Sequence, residues 1–443
     1  MATTYLTLTK STGSMIAWTW SAWVKRGVLS TEQNLFTAYN ASTDYTEVRF
    51  DTSDRLNFQN KVAGAWAGEL QTRRVFRDTA AWYNIVIVWD TGNATGADRI
   101  RMYVNGVRET DFIGTDVPTL NKASNIGEAS IPTHIGSFAT NSKFFDGSMS
   151  DVCFIDGQAL TASSFGETDT DTGEWTIKDA SGLTFGTNGY MILRDGNTIT
   201  DQSSNSNNFT LGGGTLTATE DCPSDVLNTF SPLYRGTGSG SYSLSNGNTT
   251  FLNNASSPWA NAFTSIGNST GKFYTEFLHY TGTHSIFGII NSETIRQDKG
   301  TNDAIGSTAI GQPAASYYGN SGQSMINGTQ ASFGSAIASG DYVGMAVDLT
   351  NSKIYFSKNG VWQGSGDPST GSNGLTITGD TTYVVGVGGY GSGGIKANFG
   401  NGSFGTTQLT GTTYSPTVGD TSAIFKYDVP TGYTALSTKG LNS

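Results

Sequence analysis

Arg101-Met102-Tyr103-Val104-Asn105-Gly106-Val107 and Ile354-Tyr355-Phe356-Ser357-Lys358-Asn359-Gly360-Val361-Trp362 state one β-hairpin twice: strand, tight turn, strand. An Asn-Gly pair tolerates the positive φ that both central residues of a type I′ turn require, so Asn105, Gly106, Asn359 and Gly360 are read as structural turn residues. Apolar residues alternate on either side of each turn, which puts one face of each hairpin on a core. The surrounding residues differ between the two copies, so the chain reads as two unrelated β modules and not as a tandem duplication. The fold class expected is all-β, with two β-sandwich (jelly-roll-like) domains.

Composition agrees with that expectation. The 443 residues include 57 glycines, and only 14% are charged while 12% are aromatic; ordinary domains carry about 25% charged residues. The net charge of −11, with no Lys/Arg-rich run, argues against nucleic acid as a partner. No segment approaches the roughly 20 apolar residues of a membrane helix. Met1-Ala2-Thr3-Thr4-Tyr5-Leu6-Thr7 lacks a basic stretch followed by an apolar one, so synthesis without a secretion signal is expected. Cys153 and Cys222 offer at most one disulfide, which a reducing cytosol disfavours.

From Trp18 to Phe165 short strands alternate with Gly, Asn, Asp and Ser clusters. Three segments stand out: Trp18-Thr19-Trp20-Ser21-Ala22-Trp23-Val24-Lys25, Trp82-Tyr83-Asn84-Ile85-Val86-Ile87-Val88-Trp89-Asp90, and Phe145-Asp146-Gly147-Ser148-Met149-Ser150-Asp151-Val152-Cys153-Phe154. In that order, with Tyr103-Val104-Asn105-Gly106-Val107 between the last two, they resemble the laminin-G-like, concanavalin A-like lectin family. Residues 1–165 are assigned to that domain. Residues 166–235 form a β-rich extension and connector, in which Asp201-Gln202-Ser203-Ser204-Asn205-Ser206-Asn207-Asn208-Phe209 resembles an early segment of laminin-G-like domains, with Ser204 in place of the usual glycine. Lectin-like module and extension together resemble a recurrent part of tailed-bacteriophage structural proteins. The Gly/Ser-rich run 236–241 is the expected flexible boundary.

Residues 242–443 contain Gly271-Lys272-Phe273-Tyr274-Thr275-Glu276, Gly340-Asp341-Tyr342-Val343-Gly344-Met345-Ala346-Val347-Asp348-Leu349, the second hairpin and Asn398-Phe399-Gly400. This order resembles a SPRY domain, a bent β-sandwich that binds partners through loops. The resemblance implies recognition and no enzyme activity.

A search for chemistry agrees. Glu167, Asp169 and Asp171 alternate along one run and could set carboxylates about 5 to 7 Å apart for glycoside hydrolysis. Thr separates them, however, where laminarinase-type enzymes place apolar residues, and the run reads as a solvated loop. His134, His279 and His284 are the whole imidazole supply, with no metal-binding spacing. Gly386 to Gly394 reads as a loop between strands, without the helix that a phosphate cradle needs. The resemblance to laminin-G-like folds makes Asp195, Asn197 and Asp201 candidate Ca²⁺ ligands, against the reading that Asp and Asn here form turns. No other cofactor is expected.

Aromatic residues that need not fill a core are the candidates for ligand contact. On the first strand Trp20 falls on the core face and Trp23 on the other, where a sugar ring could stack. In the second module Tyr317, Tyr318, Trp362 and Tyr390 are candidate loop aromatics. The functional expectation is a non-enzymatic phage virion protein, a tail-fibre or receptor-binding component recognising host surface glycan or protein. Its expected partners are other virion subunits and further copies of itself, a trimer if fibre-borne. A capsid or tail decoration protein, with Ala2 to Lys10 adding a strand to a neighbouring subunit, is the alternative; a glycan depolymerase is a minor one.

Overall fold

The computed structural model describes residues 3–139, 142–194, 198–234, 242–255, 259–295 and 304–441. It divides into two compact units, residues 1–218 and 219–443. No helix among the described residues is long and apolar enough to cross a membrane.

The first unit is a sandwich of two antiparallel sheets. One has eight strands in the order Phe112–Asp116, Ala65–Val75, Arg55–Val62, Asp44–Phe50, Gln33–Ala41, Thr133–Ile135, Tyr5–Leu8 and Thr210–Gly213. The other has six, in the order Tyr190–Ile192, Gly147–Asp156, Ala17–Arg26, Tyr83–Asp90, Ile100–Val104 and Val107–Arg108. Alternation decides what meets between them: Trp18, Trp20, Ala22 and Val24 point inward from one sheet, Phe36, Val48, Phe50 and Phe58 from the other. Trp18 stacks on Trp89 at 6.3 Å and Trp20 on Phe36 at 5.3 Å. Each ring withdraws about 150 to 250 Å² from water, which makes this aromatic layer the main apolar stabilisation of the unit.

Tyr83–Asp90 is apolar along nearly its whole length because both of its faces are covered. Ile85, Ile87 and Trp89 face the sandwich core, whereas Val86 and Val88 join Cys153, Ile155, Phe165, Phe185 and Met191 in a second layer on the outside of the six-stranded sheet. The extension supplies that layer. Trp175 donates its indole N–H to Asn84 Oδ1 at 3.1 Å, and Asn84 donates in turn to Ser21 Oγ at 3.3 Å.

Three expectations change here. The extension is no separate connector: Tyr190, Ile192 and Phe209 lie in the first core, and Leu227 and Phe230 belong to hydrophobic clusters of the second unit. The division therefore falls at 218/219, and the expected boundary at 236–241 lies outside the described residues. Secondly, Tyr5–Leu8 is held between Thr133–Ile135 and Thr210–Gly213, so its backbone groups are already paired and it is not a free strand for a neighbour. Thirdly, Gly386, Gly388 and Gly389 are not loop residues but lie in the strand Tyr383–Tyr390, where Phe263 and Ile305 pack against Gly386 too closely to admit a Cβ.

The second unit is likewise a two-sheet sandwich. Lys272–Thr281 lies at the centre of its larger sheet, paired with Gly394–Asn398 and Tyr342–Asp348. The smaller runs Ala260–Asn268, Tyr383–Tyr390, His284–Asn291, Ala314–Tyr318, Gln323–Ile326 and Thr329–Ser332. Phe277, Phe287, Met345, Phe356, Ile395 and Phe399 fill the space between. Both Asn-Gly turns carry positive φ at both central positions: 47° and 79° at Asn105 and Gly106, 49° and 82° at Asn359 and Gly360.

Candidate functional site

The outer face of the eight-stranded sheet carries no second hydrophobic layer of the kind that covers its six-stranded partner, but its middle is closely packed: Asn34, Thr37, Glu47, Asn57, Gln59 and His134 are buried there. Strand register lines up three rows of side chains across it. The first row reads Thr7, His134, Thr37, Glu47, Gln59, Glu69 and Asp116, each opposite the next on adjacent strands. Toward one end lies a row of Asn34, Arg49, Asn57 and Gln71. Toward the other lies Tyr39, Tyr45, Lys61 and Trp66. A bulge at Asn60/Lys61 brings Trp66 opposite Lys61 and turns it onto this face, although simple alternation would send it inward with Gly68 and Leu70.

The polar rows are cross-braced. Asn34 donates to Glu47 Oε2 at 2.6 Å, Arg49 Nε pairs with Glu47 Oε1 at 3.0 Å, and Gln59 donates to Glu69 Oε1 at 2.7 Å. Arg49 also binds Glu32, which Lys143 reaches at 3.1 Å. Gln71 and Asn57 both donate to Asp51 Oδ2. These bonds fix the rotamers of the buried Asn34, Glu47, Asn57 and Gln59 and, through them, of the half-buried Arg49, Glu69 and Gln71, the polar groups of these rows that reach the surface. The His134 pKa is lowered by burial, which favours the neutral ring.

The aromatic row is a patch of five side chains. Tyr39 meets Phe138 at 5.0 Å, Tyr45 meets Phe138 at 5.4 Å and Trp66 at 6.4 Å, and Trp66 is 43% exposed. Lys61 Nζ stands 5.3 Å over the Trp66 ring and 5.9 Å over Tyr45. The Tyr45 phenol is held above its usual pKa by burial and then by Glu47, so it stays a neutral donor. The patch sits where two hairpin tips are tied together, Gly64 N–H donating to Thr43 O at 2.9 Å and Ala63 N–H to Asp44 Oδ1 at 2.7 Å.

None of the expected contact aromatics belongs to this face. Trp23 is 3% exposed, on the outside of the six-stranded sheet that the extension covers, so it presents no stacking plane. Tyr317 is fully buried: it points inward from Ala314–Tyr318 into the second core and donates its hydroxyl to Ser335 O. Trp362 is half-buried and packs edge-on against Tyr274 at 6.3 Å. Tyr318 and Tyr390 do converge, both half-buried against Trp259 at 5.6 and 5.9 Å, with His284 5.5 Å from Tyr390.

Of the candidate Ca²⁺ ligands, Asp195 and Asn197 lie outside the described residues. Asp201 accepts from Met191 N, Ser203 N, Ser203 Oγ and Asn207 N, so its carboxylate organises the turn that follows and has no lone pairs directed outward. No group of three His, Cys, Asp or Glu side chains suited to a metal occurs among the described residues. The run expected to be a loop is instead a small hairpin: Glu167 lies exposed in the strand Gly166–Thr168, paired with Trp175–Ile177, and Asp169 accepts two backbone N–H groups and the Thr172 hydroxyl in the exposed turn that also holds Asp171.

Tyr39, Tyr45, Lys61, Trp66 and Phe138 escape a reading of the sequence because they come from four strands and a loop. The available signal is Tyr45-Thr46-Glu47-Val48-Arg49-Phe50, a strict alternation whose polar side carries residues suited to ligand contact.

Among known families, the one described as Concanavalin A-like lectin/glucanases superfamily matches residues 1–166. No curated protein matches. Similar solved structures include the SPRY domain of human HERC1, 17% identical over 38% of this chain and 96% of that one, with a TM-score of 0.28. A SAP-like pentraxin from Limulus polyphemus is 17% identical over 36% of this chain and 71% of that one, with a TM-score of 0.28. A Bacteroides ovatus protein, provisionally described as carbohydrate-binding, is 14% identical over 49% of this chain and 58% of that one, with a TM-score of 0.34. The fold is nearly all-β, and the match to the concanavalin A-like family model is confined to residues 1–166.

Proposed function

We propose that the protein binds glycan through the outer face of its eight-stranded sheet, as a non-enzymatic component of a tailed-phage virion that recognises the host surface. The observation that carries the glycan reading is the exposed Trp66, flanked by half-buried Tyr39, Tyr45 and Phe138, on the same face as the half-buried polar groups of Glu69, Gln71 and Asp116. A pyranose has an apolar face that stacks on aromatic planes and an edge of hydroxyls that needs oriented hydrogen-bond partners. The lectin-family match to residues 1–166 supports the same reading. A binding role without catalysis is favoured because Glu47, Glu32 and Glu69 are each engaged by neighbours on the face.

The virion part rests on the resemblance of the lectin-like module and its extension to phage structural proteins. Several copies would convert weak single-site contacts into useful affinity.

Trp66→Ala tests the glycan reading on a glycan array. Because Trp66 is 43% exposed, the folded state should survive while binding falls about tenfold. Equal binding by the variant would remove this face from the function. Antibody labelling of intact virions tests the second part: signal at fibre tips is expected, and signal confined to the head or tube would favour decoration.

A further inference from the structure

The charges on the glycan face are unevenly compensated. Arg49 is held by Glu47 at 3.0 Å and by Glu32, and Lys143 reaches Glu32 at 3.1 Å. Lys61 differs. Among the described residues no carboxylate lies within ion-pair distance of its ammonium, which rests instead over Trp66 and Tyr45 at 5.3 and 5.9 Å. Glu69 belongs to the neighbouring row, beside Gln59, whose amide it accepts at 2.7 Å. In a chain of net charge −11, a cation without a carboxylate partner has been placed beside Trp66, the exposed ring of the patch.

Geometry fixes what such a cation could do. Directly opposite Lys61 in the strand register lie both Tyr45 and Trp66, whose rings meet edge-on at 6.4 Å beside its ammonium. The Lys61 head, lying against those rings, is a compact charge with three donors. An acidic substituent on a pyranose stacked at Trp66 would lie within reach of that head. A neutral hydroxyl there would gain a weaker hydrogen bond and leave the ammonium uncompensated.

We propose that the patch takes an anionic sugar residue, its ring on the exposed Trp66 and its acidic group on the Lys61 ammonium. This rests on the glycan reading above and names the ligand class for it. The shared chemistry is a monosaccharide bearing a carboxylate or a phosphate.

The test uses the full chain on an array carrying uronate-, sialate- and phosphate-bearing oligosaccharides beside neutral ones. Acidic glycans whose carboxyl groups have been reduced to alcohols serve as matched probes. The expected result is about tenfold preference for an acidic glycan over its reduced counterpart, weakening as salt rises, since a charge-assisted bond at a half-exposed site has that scale. Lys61→Met keeps the apolar stem and removes the charge, so the acid-to-neutral ratio should fall to about one, with the thermal midpoint confirming an intact fold. Binding of the uronate and sialate probes but not the phosphate probes would identify the group as a carboxylate; the reverse would identify a phosphate ester.

Equal affinity for acidic and reduced probes, or a ratio unchanged in Lys61→Met, overturns the anionic assignment and leaves glycan binding standing. No binding to any probe overturns both.

Discussion

Among the ionisable side chains that the two units bury, Lys10 in the first and Glu276 in the second are treated in opposite ways. In the first, Lys10 Nζ lies 4.1 Å over the Phe154 ring and 5.8 Å from that of Tyr190, with no hydrogen-bond partner among the described residues. Burial drives its pKa down to about 7, against the pull of Asp156. In the second, Glu276 is fully buried on the central strand Lys272–Thr281 but accepts from four donors: Tyr274 hydroxyl at 3.1 Å, Asn398 amide at 3.2 Å, Lys426 N–H at 2.8 Å and Tyr427 N–H at 2.7 Å. Burial still pushes its pKa up to about 7. The glutamate is a joint, fastening the segment around Lys426 to the central sheet, whereas the lysine is a group the fold tolerates by discharging it.

The largest expected effect follows from the joint. Glu276→Leu leaves two backbone N–H groups, an amide and a phenol without their acceptor, and should cost the second unit about 3 to 5 kcal/mol in chemical denaturation. The first unit's transition should stay in place. A loss below about 1 kcal/mol would mean that the four donors find other partners and that Glu276 fastens nothing.

Next come the two Asn-Gly turns, where the units are alike. A Cβ at Gly106 would lie 2.5 Å from the Trp175 ring, and one at Gly360 would lie 2.7 Å from that of Tyr427, each at positive φ. Gly106→Val and Gly360→Val should each destabilise only the unit that carries the turn, by about 2 to 4 kcal/mol. One unfolding transition shifted by both variants would show that the units do not unfold separately.

The comparison also fixes opposite pH responses. For Glu276 the folded pKa of about 7 lies above the ordinary 4.5, so its contribution is full below pH 4.5 and is lost as pH rises to 7. That amounts to about 2 to 3 kcal/mol between pH 5 and 7. The difference in pH slope between the native chain and Glu276→Gln, followed on the second unit, isolates it. Parallel slopes would mean that Glu276 titrates normally.

The strands and the aromatic layer of the first core were legible in the sequence because alternation is local: Trp18, Trp20, Ala22 and Val24 share a face by counting alone. What covers the other face was not. Trp23 fell on the predicted side of its strand, but the extension that covers that sheet face is fixed by long-range contacts such as Trp175 to Asn84. Tyr317 failed differently, since Tyr317-Tyr318 occupies the two faces of one strand and the inward ring is consumed by the core. The face proposed for glycan needed the register of seven strands and a bulge at Asn60/Lys61, neither of which is written in any single segment.

The smallest effect expected is a gain, and it bears directly on how the lysine is held. The folded pKa of Lys10, about 7, lies below the ordinary 10.5. Its contribution is therefore full above pH 10.5 and lost as pH falls to 7, so the native first unit should gain stability from pH 7 to 9 while the second does not. Lys10→Met fills the same volume over Phe154 and Tyr190 with a neutral chain. It should raise the first unit's stability at pH 7 by about 1 to 2 kcal/mol and flatten the rise toward pH 9. If the variant instead loses stability at pH 7, then the ammonium's contact with the Phe154 ring and its attraction to Asp156 outweigh its desolvation. Lys10 would then be a joint of the same kind as Glu276, made with a ring face in place of hydrogen bonds.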